Sequence, residues 1–320
     1  MKLVSFSDGG EFVAGVLLDG YVLSVSVLDK GLKINSPLPK DIKALFAEDR
    51  ISELATYIST IQSSEAVRTE LIEKQVLIPA NGLKLGAPIP NPALIVSSGG
   101  AYKDHLEEMA VESHKDPLGF IKNSGAICGP GDDIVIPELA PDMVDWEGEF
   151  TCVISKPCFN VSREDALDYI GGYTLINDVS ARDGVVDFLT AKNEPALDIY
   201  GKGSLMVLGK QFPTFCPVGP CIVTSDELDD PGNVELITKV NGVVMQNANT
   251  RNLIHDVAST VAYFSQYYQF QPGDLITTGT PAGIGFAQKP PVFLKEGDTV
   301  EVSSPQIGAL INKVRNHQPV

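Results

Sequence analysis

Carboxylate side chains are concentrated in one short stretch of the sequence. Asp145, Glu147 and Glu149 alternate with uncharged residues, and the apolar run 150–154 follows at once. Because successive side chains of a strand point to opposite faces, the three carboxylates are expected on one strand face. Beside an apolar run, such a face is expected to meet a cation, and its oxygens suit Mg²⁺, Mn²⁺ or Ca²⁺ rather than Zn²⁺. Taken alone, the pattern fits an exposed acidic edge strand about equally well.

A second acidic feature follows the apolar run 173–176. Asp178 comes directly after this run and Asn177, and Arg182 lies four residues further on. Asp178 could complete a metal site, and Arg182 could supply a cation for a substrate carboxylate. The spacing alone slightly favours an Asx turn with a surface ion pair.

One of the four histidines has an acidic neighbour at helical spacing. On a short helix, His105 and Glu108 would lie at positions i and i+3, where the carboxylate could orient the imidazole as a general base. His114, His255 and His317 are interpreted as structural residues.

A glycine-rich segment lies near the C-terminal end, in Gly279-Thr280-Pro281-Ala282-Gly283-Ile284-Gly285. Clustered glycines let backbone amides approach a ligand, and the Thr280 hydroxyl could donate a hydrogen bond. The spacing is not that of a P-loop, and composition alone favours a plain tight turn at a strand end.

The first part of the chain has its own pattern. Short β-like runs are separated by Gly-containing turns up to about residue 27, and apolar residues recur at helical spacing from Lys40 to about Leu77. The Pro-rich segment Ala87–Pro92 then indicates a boundary. We predict a small N-terminal domain, residues 1–88, and a catalytic domain, residues 89–320.

The remainder is dominated by short apolar runs separated by Gly, Pro, Asn and Asp. Asn241-Gly242 predicts a hairpin between two strands. Two helices are predicted in this part, one from Ser162 to Gly171-Gly172 and one from about Ile254 to Tyr268.

Bulk properties exclude several classes of partner. The formal net charge of the 320 residues is -17, a field that repels nucleic acid and anionic membranes. The five cysteines form no CxxC pair and are expected to be reduced. No segment is typical of a signal peptide or a membrane span, so we expect a cytoplasmic protein.

The order and spacing of the motifs AYKDHLEEM, DWEGE, NDVSARD, KQFPTFCPVGP, VNGVVMQ and TGTPAGIG resemble the fumarylacetoacetate hydrolase family over roughly residues 90–312. The resemblance implies an α+β fold, a β-rich mixed-sheet roll with a metal at one mouth. It also implies a small N-terminal α/β domain and a homodimer.

The family's functional residues transfer to matching positions. The resemblance implies metal ligands at Glu147, Glu149 and Asp178, catalytic residues at His105, Glu108 and Lys210, and substrate contacts at Tyr102, Lys122, Arg182 and Thr280. Departures from the family pattern occur at Ala101, Asn123, Val185 and Pro213. The changes at Ala101, Val185 and Pro213 remove polar groups, so we expect an altered substrate choice.

The expected function is hydrolytic cleavage of a carbon–carbon bond in an acylpyruvate or related 1,3-diketo acid, with Mg²⁺ or Mn²⁺, and with Ca²⁺ as an alternative in crystals. His105 would activate water, Lys210 would stabilise charge on oxygen, and Arg182 would bind a carboxylate. One alternative uses the same site, with a metal-stabilised enolate of the substrate, for decarboxylation, isomerisation or dehydration of a keto acid. A second is a catalytically silent metal- or ligand-binding protein.

Overall fold

The N-terminal part of the chain forms five strands and three helices. A computed structural model describes residues 1–191 and 194–318. The first elements are β1 (Lys2–Asp8), β2 (Glu11–Leu18), β3 (Tyr21–Ser24), α1 (Ile42–Ala47), α2 (Ile51–Ser63), α3 (Glu65–Glu73), β4 (Leu77–Pro79) and β5 (Leu85–Gly86). Strands, then helices, occur where the sequence pattern predicts them.

Strands dominate the rest of the chain. Its elements are β6 (Ile95–Gly99), α4 (Lys103–Glu108), β7 (Leu118–Lys122), β8 (Ile127–Cys128), β9 (Ile134–Ile136), β10 (Val144–Asp145), β11 (Gly148–Ile154), β12 (Ile170–Asn177), β13 (Ser180–Ala181), α5 (Asp183–Thr190), α6 (Ala196–Leu208), β14 (Cys216–Thr224), β15 (Glu235–Val240), β16 (Val243–Asn249), α7 (Val257–Ser265), β17 (Leu275–Thr277), β18 (Thr299–Ser304) and β19 (Gly308–Asn316). The predicted strand-rich α+β class is confirmed.

Three sheets organise the described residues. The large sheet has 12 strands, of which ten follow the order β4-β3-β2-β1-β14-β12-β11-β17-β6-β7, while β5 pairs with β1 and β8 with β14. A second sheet has the order β16-β15-β18-β19-β9, and β10 pairs with β13 alone. Most pairs are antiparallel, but β17 and β6 run parallel, as do β14 with β8 and β19 with β9. The two larger sheets are therefore mixed, as expected, and the β10–β13 pair is antiparallel.

The N-terminal segment continues the large sheet. β1 pairs with β14 through Lys2↔Val223 and Leu3↔Ile222. One apolar cluster contains Leu3 and Leu45 together with Val153 of β11. Residues 1–88 thus share a sheet and a core with the remainder, and the boundary near residue 88 stays a prediction.

The predicted helix from Ser162 to Gly171-Gly172 is wrong. The Ser162 hydroxyl does accept from the Asp165 amide at 3.1 Å, as a helix start would require, and it donates to the Asp165 carboxylate at 2.8 Å. Only a short 3₁₀ helix, Ala166–Tyr169, follows, and Ile170 already pairs with β11. A Cβ at Gly172 would lie 2.5 Å from the Val223 carbonyl oxygen, so sheet packing requires glycine there.

The other helix predicted in this part is present but shorter, at α7, where the Asp256 side chain accepts a hydrogen bond from the Ser259 amide. The pair α5 and α6 was not predicted. The hairpin at Asn241-Gly242 joins β15 and β16 as expected. No helix in the described ranges has the length and apolar character needed to cross a membrane.

Candidate active site

Two neighbouring strand ends bring the carboxylates together. Gly148 of β11 lies opposite Asn177 of β12, so Glu147 precedes one strand and Asp178 follows the other. The Asp178 amide donates to the Glu147 carbonyl at 2.8 Å. With Glu149, one carboxylate oxygen from each residue lies within 4.8 Å of the others, and all three side chains are buried. The three predicted ligands therefore form one cluster.

Glu149 supplies the test of whether a metal fits. Neither of its carboxylate oxygens has a hydrogen-bond partner among the described residues. Burial, together with Asp178 and Glu147 nearby, raises the pKa of Glu149 well above its usual value. A divalent cation would satisfy these oxygens and restore the ionised form, and three carboxylates are a donor set suited to Mg²⁺ or Mn²⁺.

Two lysines, the partly exposed Lys210 and the buried Lys122, compensate part of the negative charge. Lys210 Nζ lies 2.6 Å from Glu147 Oε2, 2.8 Å from Asp178 Oδ2 and 2.7 Å from Ser180 Oγ. Lys122 Nζ lies 2.6 Å from Asp178 Oδ1. Burial favours the neutral form of Lys210, but Asp178 and Glu147 outweigh it and raise the pKa of this lysine. Burial would likewise raise the pKa of Glu147, but Lys210 and Arg182 bring it down to about 2.

Asp145 does not share a row with Glu147 and Glu149, so that prediction is wrong. It belongs to β10, which pairs with β13, whereas Glu149 lies in β11 of the large sheet. Its carboxylate instead accepts from Arg182 Nε at 2.9 Å, while Arg182 Nη2 lies 2.6 Å from Glu147 Oε1. Asp145 and Glu147 of this acidic segment thus meet cations rather than bulk water, as expected, whereas Glu149 forms no ion pair with a described residue.

The histidine segment forms the helix α4, as predicted. His105 Nδ1 lies 3.5 Å from Glu108 Oε2. Both oxygens of Glu108 also accept from the Gly283 amide at 3.1 Å. Gly283 has φ +104 and a Cβ there would lie 1.9 Å from the Met245 carbonyl oxygen, so only glycine fits. The glycine-rich segment therefore contacts Glu108, the acidic neighbour of the candidate base His105, and is not a plain turn.

Gln246 joins the glycine-rich segment to β11, the strand that carries the candidate metal ligand Glu149. Its Oε1 accepts from the Gly148 amide at 3.0 Å, and its Nε2 donates to Thr280 Oγ1 at 2.7 Å. Thr280 Oγ1 in turn donates to the Gly148 carbonyl at 3.2 Å. Gln246 was not predicted as a site residue, although it lies in the motif VNGVVMQ and is buried in a strand. A buried amide in a motif is a signal that could have identified it.

A cleft of about 400 Å³ opens beside the carboxylates. Its polar end includes Glu147, His105, Lys210 and Thr280, and Phe120 contributes to an apolar wall. The other predicted substrate contacts, Tyr102, Lys122 and Arg182, are buried and do not line this cleft in the described part of the chain. Their contact with substrate stays a prediction.

Two histidines interpreted as structural, His114 and His255, also line the cleft. His114 is exposed, and its Nδ1 accepts from the Asp116 amide at 3.2 Å. No helical spacing links either residue to His105, which is why the sequence did not place them at the site.

Known proteins share this architecture. The family model "Fumarylacetoacetate (FAA) hydrolase C-terminal" matches residues 94–315. Oxaloacetate tautomerase fahd2, mitochondrial, from Xenopus laevis is 40% identical over 250 residues, which is 78% of this chain and 74% of the relative.

Two solved structures extend the likeness to the whole chain. One is maleylpyruvate hydrolase from Sphingobium sp. SYK-6 in complex with manganese(II) ion and pyruvate. It is 27% identical with a TM-score of 0.72, and the match covers 99% of this chain and 100% of that chain. The other is 5-carboxymethyl-2-hydroxymuconate delta-isomerase from Mycobacterium smegmatis, which is 30% identical with a TM-score of 0.70 and is covered over 100% of both chains. The chain belongs to the fumarylacetoacetate hydrolase family.

Proposed function

We propose that this protein is a metal-dependent enzyme that interconverts the keto and enol forms of a dicarboxylic 2-keto acid such as oxaloacetate. The observation that carries the proposal is the buried Glu149 carboxylate, which lacks a partner among the described residues and lies beside Glu147 at the end of the cleft. The reaction named for the Xenopus laevis relative supports the choice of substrate.

The residues of the cleft suit this reaction. A Mg²⁺ or Mn²⁺ ion held by Glu147, Glu149 and Asp178 would supply a Lewis acid for the oxygens of the keto acid. Because Glu108 faces Nδ1 of His105, the other ring nitrogen is left for the substrate. His105 removes a proton from the carbon next to the keto group, and Lys210 stabilises the charge that develops on the keto oxygen. The proton held by His105 is then delivered to that oxygen, directly or through water, which gives the enol and restores the neutral imidazole. Nothing else is consumed.

Hydrolysis of an acylpyruvate is a second candidate. The position of the Glu108 carboxylate, 3.5 Å from His105 Nδ1, supports it, as does the maleylpyruvate hydrolase structure with manganese and pyruvate. His105 would take a proton from water, and the hydroxide would add to the acyl carbonyl. The carbon–carbon bond then breaks with its electron pair going to the pyruvate part, which is protonated to give pyruvate and a carboxylic acid.

A substrate panel separates the candidates. Purified protein is given the enol form of oxaloacetate, maleylpyruvate and acetylpyruvate, with Mn²⁺, with Mg²⁺ and after chelation. Metal-dependent loss of the enol absorbance, with the keto form of oxaloacetate as the product, supports the tautomerase. Release of pyruvate from an acylpyruvate supports the hydrolase, and carbon dioxide release indicates a decarboxylase. Specific Mn²⁺ binding with no turnover of any substrate would favour a silent binding protein.

We further propose a homodimer located in the cytoplasm. Exposed apolar side chains on α6, Leu197 at 79% and Tyr200 at 73%, support a subunit contact. Light scattering tests the dimer, and a monomer at working concentration would overturn it. Fluorescence microscopy of a tagged chain in its source cell tests the location, and the word mitochondrial in the relative's name makes that organelle the alternative.

A further inference from the structure

Asp145 is completely buried and accepts hydrogen bonds from three parts of the chain. Its Oδ1 accepts from the Trp146 amide at 2.8 Å and from the Gly285 amide at 2.7 Å. Its Oδ2 accepts from the Phe286 amide at 3.0 Å and from Arg182 Nε at 2.9 Å. One carboxylate thus links the end of β10, the residue after β13 and the glycine-rich segment.

The glycine-rich segment can approach Asp145 closely only because residue 285 is a glycine. A Cβ at Gly285 would lie 2.7 Å from Asp145 Oδ1 and 2.0 Å from the Val292 carbonyl oxygen. Gly285 therefore allows the amides of residues 285 and 286 to reach the carboxylate. The same segment carries Thr280 and Gly283, which contact β11 and Glu108.

Arg182 transmits the position of Asp145 to a metal ligand. Its guanidinium lies between the two carboxylates, with Nε toward Asp145 and Nη2 at 2.6 Å from Glu147 Oε1. A planar guanidinium held at one end by Asp145 has little freedom at the other. Oε1 of Glu147 is thereby occupied, and the remaining oxygen, Oε2, is directed toward Lys210.

We propose that Asp145 is a positioning residue: through Arg182 it fixes Glu147 for metal binding, and through Gly285 and Phe286 it holds the glycine-rich segment against the site. This inference rests on the proposed metal site. The negative charge of Asp145 adds to the attraction for a cation. Removing this charge is expected to weaken metal binding in two ways: Glu147 loses its fixed position, and the negative potential at the site becomes weaker.

The test is Mn²⁺ affinity of the full chain, measured by calorimetry, for the wild type and Asp145→Asn. The asparagine keeps the shape but loses the charge, and its amide group turns a donor toward another donor. We expect the dissociation constant to rise roughly 10- to 100-fold, the range typical of outer-shell residues.

Asp274→Asn is the matched control. Asp274 is also buried and accepts from two backbone amides, those of Leu94 and Gln271, but it contacts none of the three carboxylates. We expect both variants to have a lower melting temperature, because each loses a buried carboxylate that accepts backbone hydrogen bonds. Mn²⁺ affinity should fall only in Asp145→Asn and should stay unchanged in Asp274→Asn. Equal Mn²⁺ affinity in wild type and Asp145→Asn would overturn the inference.

A double-mutant cycle tests the route through Arg182. If Asp145 acts on Glu147 through this residue, the loss of Mn²⁺ affinity caused by Asp145→Asn should be smaller in the Arg182→Gln background than in the wild type. Additive effects would overturn that route. Should Asp145→Asn fail to fold, Arg182→Lys keeps the charge but cannot span both carboxylates, and it should weaken Mn²⁺ binding about tenfold. Unchanged affinity there would also overturn the inference, whereas a wild type that binds no Mn²⁺ would overturn the proposed metal site itself.

Discussion

Lys210 joins two of the three carboxylates of the candidate metal site: its Nζ lies 2.6 Å from Glu147 Oε2 and 2.8 Å from Asp178 Oδ2. The same ammonium lines the cleft. It therefore competes with a cation for the carboxylates and is placed to stabilise charge on a substrate.

Replacing Lys210 by methionine should separate these two effects. Without the ammonium, the carboxylates attract Mn²⁺ more strongly, and we expect its dissociation constant to fall about tenfold. Turnover should fall roughly 100-fold or more, because oxygen charge is no longer stabilised. Calorimetry and steady-state kinetics measure the two quantities. A variant that loses both metal affinity and turnover would indicate a collapsed site instead.

Replacing His105 by alanine should remove the general base. We expect turnover to fall by roughly 100- to 10,000-fold, with Mn²⁺ affinity nearly unchanged. His317→Ala is the control, because this histidine pairs with Glu138 on the surface at 3.2 Å. If the His105 variant keeps full activity while binding metal normally, the chemistry does not depend on this residue.

The raised pKa of Glu149 predicts how metal-free stability depends on pH. In the unfolded chain this carboxyl titrates near its ordinary value of 4.5, and in the folded chain well above it. The folded state therefore binds the proton more tightly. The stability contribution is present below pH 4.5 and is lost as pH rises through the folded pKa.

Denaturant unfolding at several pH values, compared between wild type and Glu149→Gln, isolates this contribution. The wild type should lose stability relative to the variant as pH rises, and saturating Mn²⁺ should reverse the difference. Parallel pH profiles for the two proteins without metal would contradict the prediction.

Trp146 should report metal binding by fluorescence. It is the only tryptophan, is completely buried, and immediately precedes Glu147. Paramagnetic Mn²⁺ bound at the site should quench its emission strongly, whereas Mg²⁺ should change it little. Quenching that persists undiminished in Glu149→Gln at the same Mn²⁺ concentration would place the ion elsewhere.

Short-range features of the site could be predicted from the sequence. The alternation of acidic residues led to Glu147 and Glu149, and helical spacing led to His105 with Glu108. Contacts between distant segments could not be predicted, because the spacing of residues within one segment does not show which residue of another segment pairs with a buried charge. Arg182 was expected at a substrate carboxylate, yet Asp145 lies 37 residues away in sequence and occupies its Nε. The contact between Asp145 and Gly285 spans 140 residues.

The failed helix at Ser162 has a similar cause. Its local start signal is present, since the hydroxyl bonds to Asp165. Ile170 pairs with Ile154 of β11, so the strand β12 begins there and the helix cannot extend further. Long-range sheet formation therefore overrides local propensity there.

The pairing of β1 with β14 makes the first residues of the chain part of the support for the strands that carry the candidate metal ligands. β14 lies between β1 and β12, and β12 leads directly to Asp178. Deleting residues 1–88 would leave an open strand edge, which favours pairing with other molecules and aggregation. The N-terminal segment is thus not an exchangeable module: it should melt together with β11 and β12 in the middle of the sheet, and cation binding there should slow proteolysis at the β4 edge.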